Sequence, residues 1–468
     1  MPPSITLELV DGVRVVVPDS LSLITAYVLQ EQQDWFEDEI KFLRRLIRPG
    51  QKAIDIGANC GVYALTMAKL VGPTGRIWAF EPASATADLL AAGMAANNFA
   101  NLEIIRSAVS NAPGSAQLSI NESSELNELV RGTQPGGATE AISCVTLDDS
   151  MAQHGWENID FVKIDAEGEE YNILQAGTRF LATESPLIQY EIKAGNGSLN
   201  LGLIERFSAL GYQSYRLVPG LDLLVPVDNK EAIDGYLLNL FCCKPDRAAR
   251  LVAQGFLLEA IDGTSAAHLA DPRRTSDTHG WRKALAAMPY GALLAEEWAQ
   301  QMTRDESHAV EQPLFHYALS RDASLQKAER CAALEASYRE FKRMCEAQPV
   351  YLRLSSLARV ALDYGMRSVG VHALGRLCEQ IFQQRQANTS EPFLAPGARF
   401  DSLAPGLRQS VPSWILGAAL EELERKQAYS SFWTGKAGRR RLEMIRDLGF
   451  ASDEMQRRLA LIQRRFGV

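Results

Sequence analysis

Residues 52–61 read KAIDIGANCG, a short apolar strand that runs into a glycine-spaced turn and then into a helix. No other feature constrains the chain as much. A strand ending in such a turn hands over to a crossover helix, and crossover helices join parallel strands. The next segments keep the pattern. GRIWAFEP (75–82) and LEIIRSAV (102–109) read as the second and third strands, with a helix between them that Ser84 caps and that runs to Asn97. QLSI (117–120) and AISCVTL (141–147) are further strands, separated by a polar loop at 122–140.

IDFVKIDAEG (159–168) is a strand leading into the helix YNILQAG, and PLIQYEIK (186–193) is a strand followed by a helix at 199–210. YQSYRLV, LDLLVPV and YLLNLFCC follow without intervening helices, which predicts an antiparallel edge. Ahead of the glycine turn, residues 5–17 read as a hairpin around Asp11-Gly12. Residues 33–47 have apolar positions at helical spacing, stopped by Pro49-Gly50. The sum is an α/β fold, a mostly parallel sheet wrapped by helices.

After Pro245 the character changes. Alanine, leucine, arginine, glutamate and glutamine dominate, and helices are expected near 281–304, 324–347, 350–363, 367–386, 413–428, 437–449 and 453–466. The stretch 354–381 resembles one tetratricopeptide-like helix pair, short of the three or so units a solenoid needs. Charge divides in the same place. Residues 1–245 carry 17 Lys+Arg against 31 Asp+Glu, a net of −14, whereas the remainder carries a net of +5. The expected organisation is an α/β domain at 1–245, with a hairpin and helix at 1–50 and the core at 51–245. A linker at 246–280 and an all-α module at 281–468 follow. An acidic first half does not suit a phosphate backbone, so no nucleic-acid partner is expected.

No run of about 18 apolar residues is present, so no membrane span is expected. The N-terminal MPPSITLELVDGVRV lacks the basic and apolar regions of a secretory signal. The seven cysteines are odd in number and form no Cys-x-x-Cys pair. Together these features fit a reducing, cytoplasmic compartment and no metal site of the zinc type.

The glycine turn carries the chemistry. Gly57 and Gly61 let the backbone turn sharply and approach a ligand. Its spacing is Gly-x-x-x-Gly, neither the dinucleotide fingerprint nor a phosphate-cradling P-loop. Asp55, just ahead of the turn, repels a pyrophosphate and suits a cationic ligand such as S-adenosylmethionine. Glu81 ends the second strand, where an acid can take both hydroxyls of a ribose.

The series GANxG, AFEP and KIDxEGxE, with NNFANLEIIRSAVSNAPGSAQLSI and PLIQYEI around it, resembles the FkbM family of S-adenosylmethionine-dependent methyltransferases over about residues 33–243. The resemblance implies a class I methyltransferase fold, a Rossmann-like sheet of seven mostly parallel strands with the last antiparallel. It implies that Gly57, Asn59 and Gly61, with Asp55 and Tyr63, wrap the methionine part of the cofactor. Glu81 then holds the ribose, Ser107 and Ala108 at the end of the third strand pin the adenine, and Asp165 lies next to the transferred methyl group. Cys60 departs from the family's usual Ile, Val or Phe and is expected to affect packing more than chemistry. Glu37 and Glu39 resemble an acid found just before the glycine turn in this family. A solvated helix face explains them equally well.

Methyl transfer to a hydroxyl benefits from a base. Asp165, Glu167 and Glu191 all fall at C-terminal strand ends, where open parallel sheets bind ligands. If the chain stays extended, Asp165 and Glu167 share a face. Glu167 could instead anchor the next helix through its backbone amides, and Lys163 could simply pair with a carboxylate. A metal held by these acids is the least favoured reading. His154 is a loop histidine, and Arg439–Arg441 and Arg464-Arg465 read as solvated helix ends.

The leading expectation is methyl transfer to a hydroxyl, most of all a sugar in a polysaccharide or glycoconjugate, with S-adenosylhomocysteine as product. The helical module would then recognise the small-molecule or glycan acceptor, dock to glycan-assembly proteins, or form a homodimer. Alternatives are N-methylation of a peptide or small amine, O-methylation of a polyketide or other natural product, and a non-enzymatic cofactor-binding scaffold.

Overall fold

The computed structural model describes residues 3–131, 137–192, 199–227, 233–260, 280–301, 309–348 and 352–467. The chain divides into two compact units. The first comprises Met1–Leu217, Pro226–Ile233 and Leu237–Leu257, and the second Val218–Val225, Asp234–Tyr236 and Leu258–Val468. Most of the expected linker at 246–280, namely 261–279, lies outside the described residues.

The first unit opens with an antiparallel hairpin, β1 (Ser4–Glu8) and β2 (Arg14–Pro18), turned at Asp11-Gly12 as expected. The helix expected over 33–47 is shorter. An unforeseen helix, α1 (Ile24–Gln32), ends where Gln33 takes a left-handed conformation, and α2 (Asp38–Leu46) starts only after an extended Glu37. Asp38 and Glu39 in the first turn of α2 and Arg44 and Arg45 in its last suit the helix dipole.

The main sheet is built from β3 (Lys52–Ile56), β4 (Arg76–Phe80), β5 (Leu102–Ile105), β9 (Phe161–Ile164), β10 (Leu187–Glu191), β11 (Gln213–Val218) and β13 (Asn239–Cys243). Their order is β11-β13-β10-β9-β3-β4-β5, and β12 (Leu223–Pro226) lies beyond β11 as an eighth strand where seven were expected. β10, β9, β3, β4 and β5 run parallel, and β13 is antiparallel to both neighbours. This is the class I methyltransferase arrangement. α3 (Val62–Val71) and α4 (Ser84–Asn97) cross over between β3, β4 and β5.

Two expectations about this region need correction. Ser84 is not a cap: it is the first helical residue, and its amide and hydroxyl both bond to Glu140. LEIIRSAV is not one strand. The main-sheet strand stops at Ile105, and β6 (Ser107–Val109) leaves to pair with β8 (Thr139–Val145), which also pairs with β7 (Gly114–Ser119) in a three-stranded sheet. No glycine or proline interrupts LEIIRSAV at Arg106, so the local pattern does not reveal the change of sheet.

Side chains alternate across the main sheet. Ile54, Ile56, Val162, Ile164, Ile188 and Tyr190 join Trp156, Phe180 and Phe207 in an apolar core. The intervening positions, Asp55, Lys163 and Gln189, form a polar row. Asp55 pairs in register with Lys163, and Lys163 with Gln189. A buried polar row in the middle of a parallel sheet is costly and needs partners.

The second unit is helical. Leu334, Phe341, Leu357, Leu374, Trp414 and Ile462 belong to its core. Residues 353–364 and 367–384, the tetratricopeptide-like stretch, form two helices turned at a left-handed Gly365. A helix at 311–321 was not expected. Its Pro313 falls in the first turn, where a missing N–H costs nothing. It packs on the helix at 327–347, which in turn packs on 353–364. Arg439 and Arg441 pair with Glu443 and Glu424 of this unit.

Candidate active site

The glycine turn runs through left-handed backbone that its residues tolerate. Gly57 has φ +79, and a Cβ there would lie 1.7 Å from the carbonyl oxygen of Asp165. Gly61 has φ +89 and faces Leu90. Asn59 between them is left-handed at φ 50, a conformation asparagine tolerates, and its Oδ1 accepts from the amide of Cys60 at 2.7 Å. Gly57 and Ala58 donate their amides to the carbonyl of Phe80, which closes the turn against β4. Cys60 is buried, and burial pushes its thiol pKa up, which leaves it unreactive.

Glu81 ties the same turn to the strand end. Its Oε2 accepts from the amide of Asn59 and its Oε1 from the amide of Ala83, both at 2.9 Å. Burial pushes its pKa up to about 7 against the pull of these two amides. Each oxygen keeps a second lone pair for a ligand hydroxyl.

Behind the turn lies the polar row. Asp55 is 0% exposed, and neither oxygen makes a hydrogen bond of ordinary geometry, although the Ala64 amide favours its charged form. Burial pushes its pKa up to about 6; Lys163 opposes this and Asp165 adds to it. Lys163 donates to Oδ2 of Asp165 at 2.7 Å and lies 4.8 Å from the centre of the Tyr63 ring. Burial disfavours its charge, but Asp165, Asp55 and Glu37 together hold its pKa above the usual lysine value. Tyr63 donates its hydroxyl to Glu37 and accepts from Nε2 of Gln189. Glu37 is raised by burial, with Lys163 and the Tyr63 hydroxyl opposing. Glu39 is pushed up to about 8 by burial and by Glu37 and Asp38.

Asp165, Glu167 and Glu191 meet at the strand ends. One oxygen of each lies within 4.8 Å of the others. They do not share an extended face. Glu167 is left-handed at φ 48, followed by Gly168 at φ 95, so a turn brings it back toward Asp165. Nor does Glu167 anchor the next helix. Glu170 does, through Oε1, which accepts from the amides of Ala166 at 3.0 Å and Gly168 at 3.3 Å. Among the described residues neither Glu167 nor Glu191 has a side-chain hydrogen bond or ion pair. Burial, then Asp165 and Glu170, push Glu167 up to about 8. Burial, then Asp165 and Glu167, push Glu191 up to about 10.

The remaining candidates separate. Ser107 and Ala108 sit in β6 of the small sheet rather than at the end of the third main strand, although Ala108 packs with Ala83, two residues past Glu81. His154 approaches Glu103 at 3.5 Å and stacks on Trp156, so it braces the fold. Sequence reasoning missed the turn Ser124–Leu126, inside a stretch read as plain polar loop. Ser124 donates to Oδ1 of Asn59 at 3.0 Å, and Glu125 accepts from the amide and hydroxyl of Thr25. No local signal marks these residues, because their partners are 65 and 100 positions away. Glu170 was in view as part of KIDxEGxE, but its role needed the turn geometry.

These residues fit a cationic nucleoside. The two glycines let the turn close tightly against the end of β9 and against α4, the Asp55 oxygens make no hydrogen bond of ordinary geometry, and among the described residues acids outnumber the buried Lys163. A pyrophosphate would be repelled.

Residues 55–214 match the family model described as the Methyltransferase FkbM domain. Methyltransferase sdnD of Sordaria araneosa is 29% identical over 152 residues, which cover 26% of this chain and 58% of that protein. The chain thus spans less than two thirds of that relative's length. Among solved structures, a methyltransferase FkbM from Methylobacillus flagellatus is 15% identical over 48% of this chain and 56% of its own, with a TM-score of 0.29. An S-adenosylmethionine-dependent O-methyltransferase from Thermotoga maritima is 14% identical over 52% of this chain and 78% of its own, with a TM-score of 0.27.

Proposed function

We propose, from the match of residues 55–214 to the methyltransferase FkbM domain, that this chain transfers a methyl group from S-adenosylmethionine to a hydroxyl, with a sugar of a polysaccharide or glycoconjugate as acceptor. The observation that carries the hydroxyl is the carboxylate cluster at the strand ends, which puts a base beside the glycine turn. A neutral amine needs no such base.

When bound, S-adenosylmethionine supplies a methyl group on a sulfonium, already a good leaving group. Gly57, Asn59 and Gly61, with Asp55 and Tyr63, would hold its methionine part, and Glu81 would accept from its ribose. Ser107 and Ala108 remain our candidates for the adenine end. The chain's own work is positioning and proton transfer. Asp165 is already engaged by the Lys163 ammonium. Glu167 has no such partner, and its pKa of about 8 matches a base working near neutral pH. We therefore assign Glu167 to the hydroxyl proton. Glu191, pushed up to about 10 by burial and by Asp165, stands beside Glu167 and would help orient the acceptor.

The helical second unit is our candidate for acceptor recognition, docking to glycan-assembly proteins or self-association. No disulfide joins the seven cysteines, which supports a cytoplasmic setting.

The test is release of S-adenosylhomocysteine by the full chain over matched panels of sugars and amines. Turnover on a sugar hydroxyl that falls about 100-fold or more in Glu167→Gln supports the reading. Turnover on amines that survives substitution of Asp165, Glu167 and Glu191 would replace it with N-methylation.

A further inference from the structure

The cluster at the strand ends poses a problem of charge. Asp165, Glu167 and Glu191 each place an oxygen within 4.8 Å of the other two. Like charges that close in a partly buried site do not all ionise without a cation between them. Among the described residues Lys163 is the cation that faces this cluster, and it is committed to Asp165 at 2.7 Å. The groups that face the cluster from other elements add to the excess. Glu170 stands on the following helix, Glu37 ahead of α2, Asp55 on β3, and Glu125 in the turn over Asn59. All four are acids.

A second observation points the same way. Asp55 pairs in register with Lys163, is wholly buried, and has neither oxygen in an ordinary hydrogen bond. Among the described residues the polar face therefore carries more negative charge than Lys163 balances. Something positive completes it, a proton when the site is empty.

We propose that the cluster of Asp165, Glu167 and Glu191 holds a proton in the empty protein and gives it up when the site receives the positive charge of S-adenosylmethionine. This rests on the methyltransferase reading above. The exchange has two consequences. It selects the charged cofactor over S-adenosylhomocysteine, which lacks the sulfonium. It also leaves Glu167 ionised only once a methyl donor is in place.

The charge balances around a turnover. The S–CH3 bond breaks, an O–CH3 bond forms, and the hydroxyl proton passes to the cluster. The positive charge of the cofactor has gone and the cluster again holds one proton, as it did when empty. Burial and like charge raise Glu167 to about 8 and Glu191 to about 10, which agrees with a resident proton near neutral pH.

The test needs no acceptor. The full chain is titrated calorimetrically with S-adenosylmethionine and with S-adenosylhomocysteine, in phosphate and in Tris, between pH 6 and 8. The two ligands carry the same other ionisable groups, and any pH dependence that belongs to the ligands themselves persists in the variants below. The expected result is about one proton released with S-adenosylmethionine and none with S-adenosylhomocysteine. The preference for the charged ligand should rise by up to about tenfold per pH unit. Glu167→Gln and Glu191→Gln each leave a pair of carboxylates beside Lys163. Each should flatten that rise while binding of S-adenosylhomocysteine persists, which a merely structural defect would not do.

Tight binding of S-adenosylmethionine without proton release, at a preference independent of pH, overturns the proposal. So does stoichiometric binding of manganese, read by electron paramagnetic resonance and lost in Glu191→Gln, because the balancing cation would then be a metal ion. Failure of the folded wild type to bind either nucleoside is a different result, and it removes the methyltransferase reading itself.

Discussion

The ammonium of Lys163 donates to Oδ2 of Asp165 at 2.7 Å, two residues further along the same chain. This bond joins the buried polar row to the carboxylates at the strand ends. Lys163 is only 4% exposed, and Asp55 and Glu37 also favour its charge.

Replacing that cation without filling its role should be expensive. Lys163→Met leaves buried carboxylates with no counter-charge, a change that costs about 3–5 kcal/mol. Urea unfolding at pH 7.5 should show that loss, and at pH 5.5 a smaller one, because the acids then take up protons. Equal losses at both pH values would show that packing, not charge, is the role of Lys163.

The two glycines of the turn should not be equally replaceable. Gly57→Ala drives a Cβ to 1.7 Å from a backbone oxygen at φ +79, and backbone cannot step aside. Gly61→Ala meets the far end of the Leu90 side chain at 2.2 Å, which can rotate away. Thermal melts should therefore place Gly57→Ala well below Gly61→Ala, with the latter nearer the wild type. The reverse order would contradict the geometry of the turn.

Glu81→Ala removes the acceptor of the Asn59 and Ala83 amides and leaves both without it. The folded protein should lose about 1–3 kcal/mol of stability. Calorimetric titration should show S-adenosylmethionine binding at least about tenfold weaker, as loss of one charged hydrogen bond implies. Unchanged affinity would take Glu81 out of the cofactor site.

The pH dependence of stability follows from carboxylates whose pKa values are raised on folding. Asp55 at about 6, Glu81 at about 7, and Glu39 and Glu167 at about 8 all lie above their unfolded values. Between the unfolded and folded pKa values the native state binds more protons than the unfolded chain. Stability then falls as pH rises. The ligand-free protein should melt at a higher temperature at pH 5.5 than at pH 8. A rise in melting temperature over that interval would mean that these acids are not held protonated.

Much of the site was legible because its members sit at strand ends in one chain order. The glycine turn, Asp55, Glu81, Asp165, Glu167 and Glu191 follow from a strand–turn–helix pattern whose C-terminal edge binds ligands. The pairing of Lys163 with a carboxylate was among the readings open from residue spacing alone. The roles within the cluster were not legible. Glu167 and Glu170 are three residues apart, and only the left-handed turn at Glu167 and Gly168 decides that one anchors the turn and the other is left for the site. Ser107 looked like the end of a main-sheet strand because no glycine or proline marks the change of sheet at Arg106.

What the amino-acid sequence determined by itself was the succession of elements and the place of the candidate site at the C-terminal strand ends. Local periodicity and glycine spacing are short-range properties, and those the residues carry directly. What only the tertiary structure decided was charge. Burial across a parallel sheet, set by residues far apart in the chain, brings Glu37, Asp55 and Asp165 around Lys163 and sets Glu191 beside Asp165. Electrostatic energy depends on those distances and on exclusion of water, and neither can be read along a linear chain.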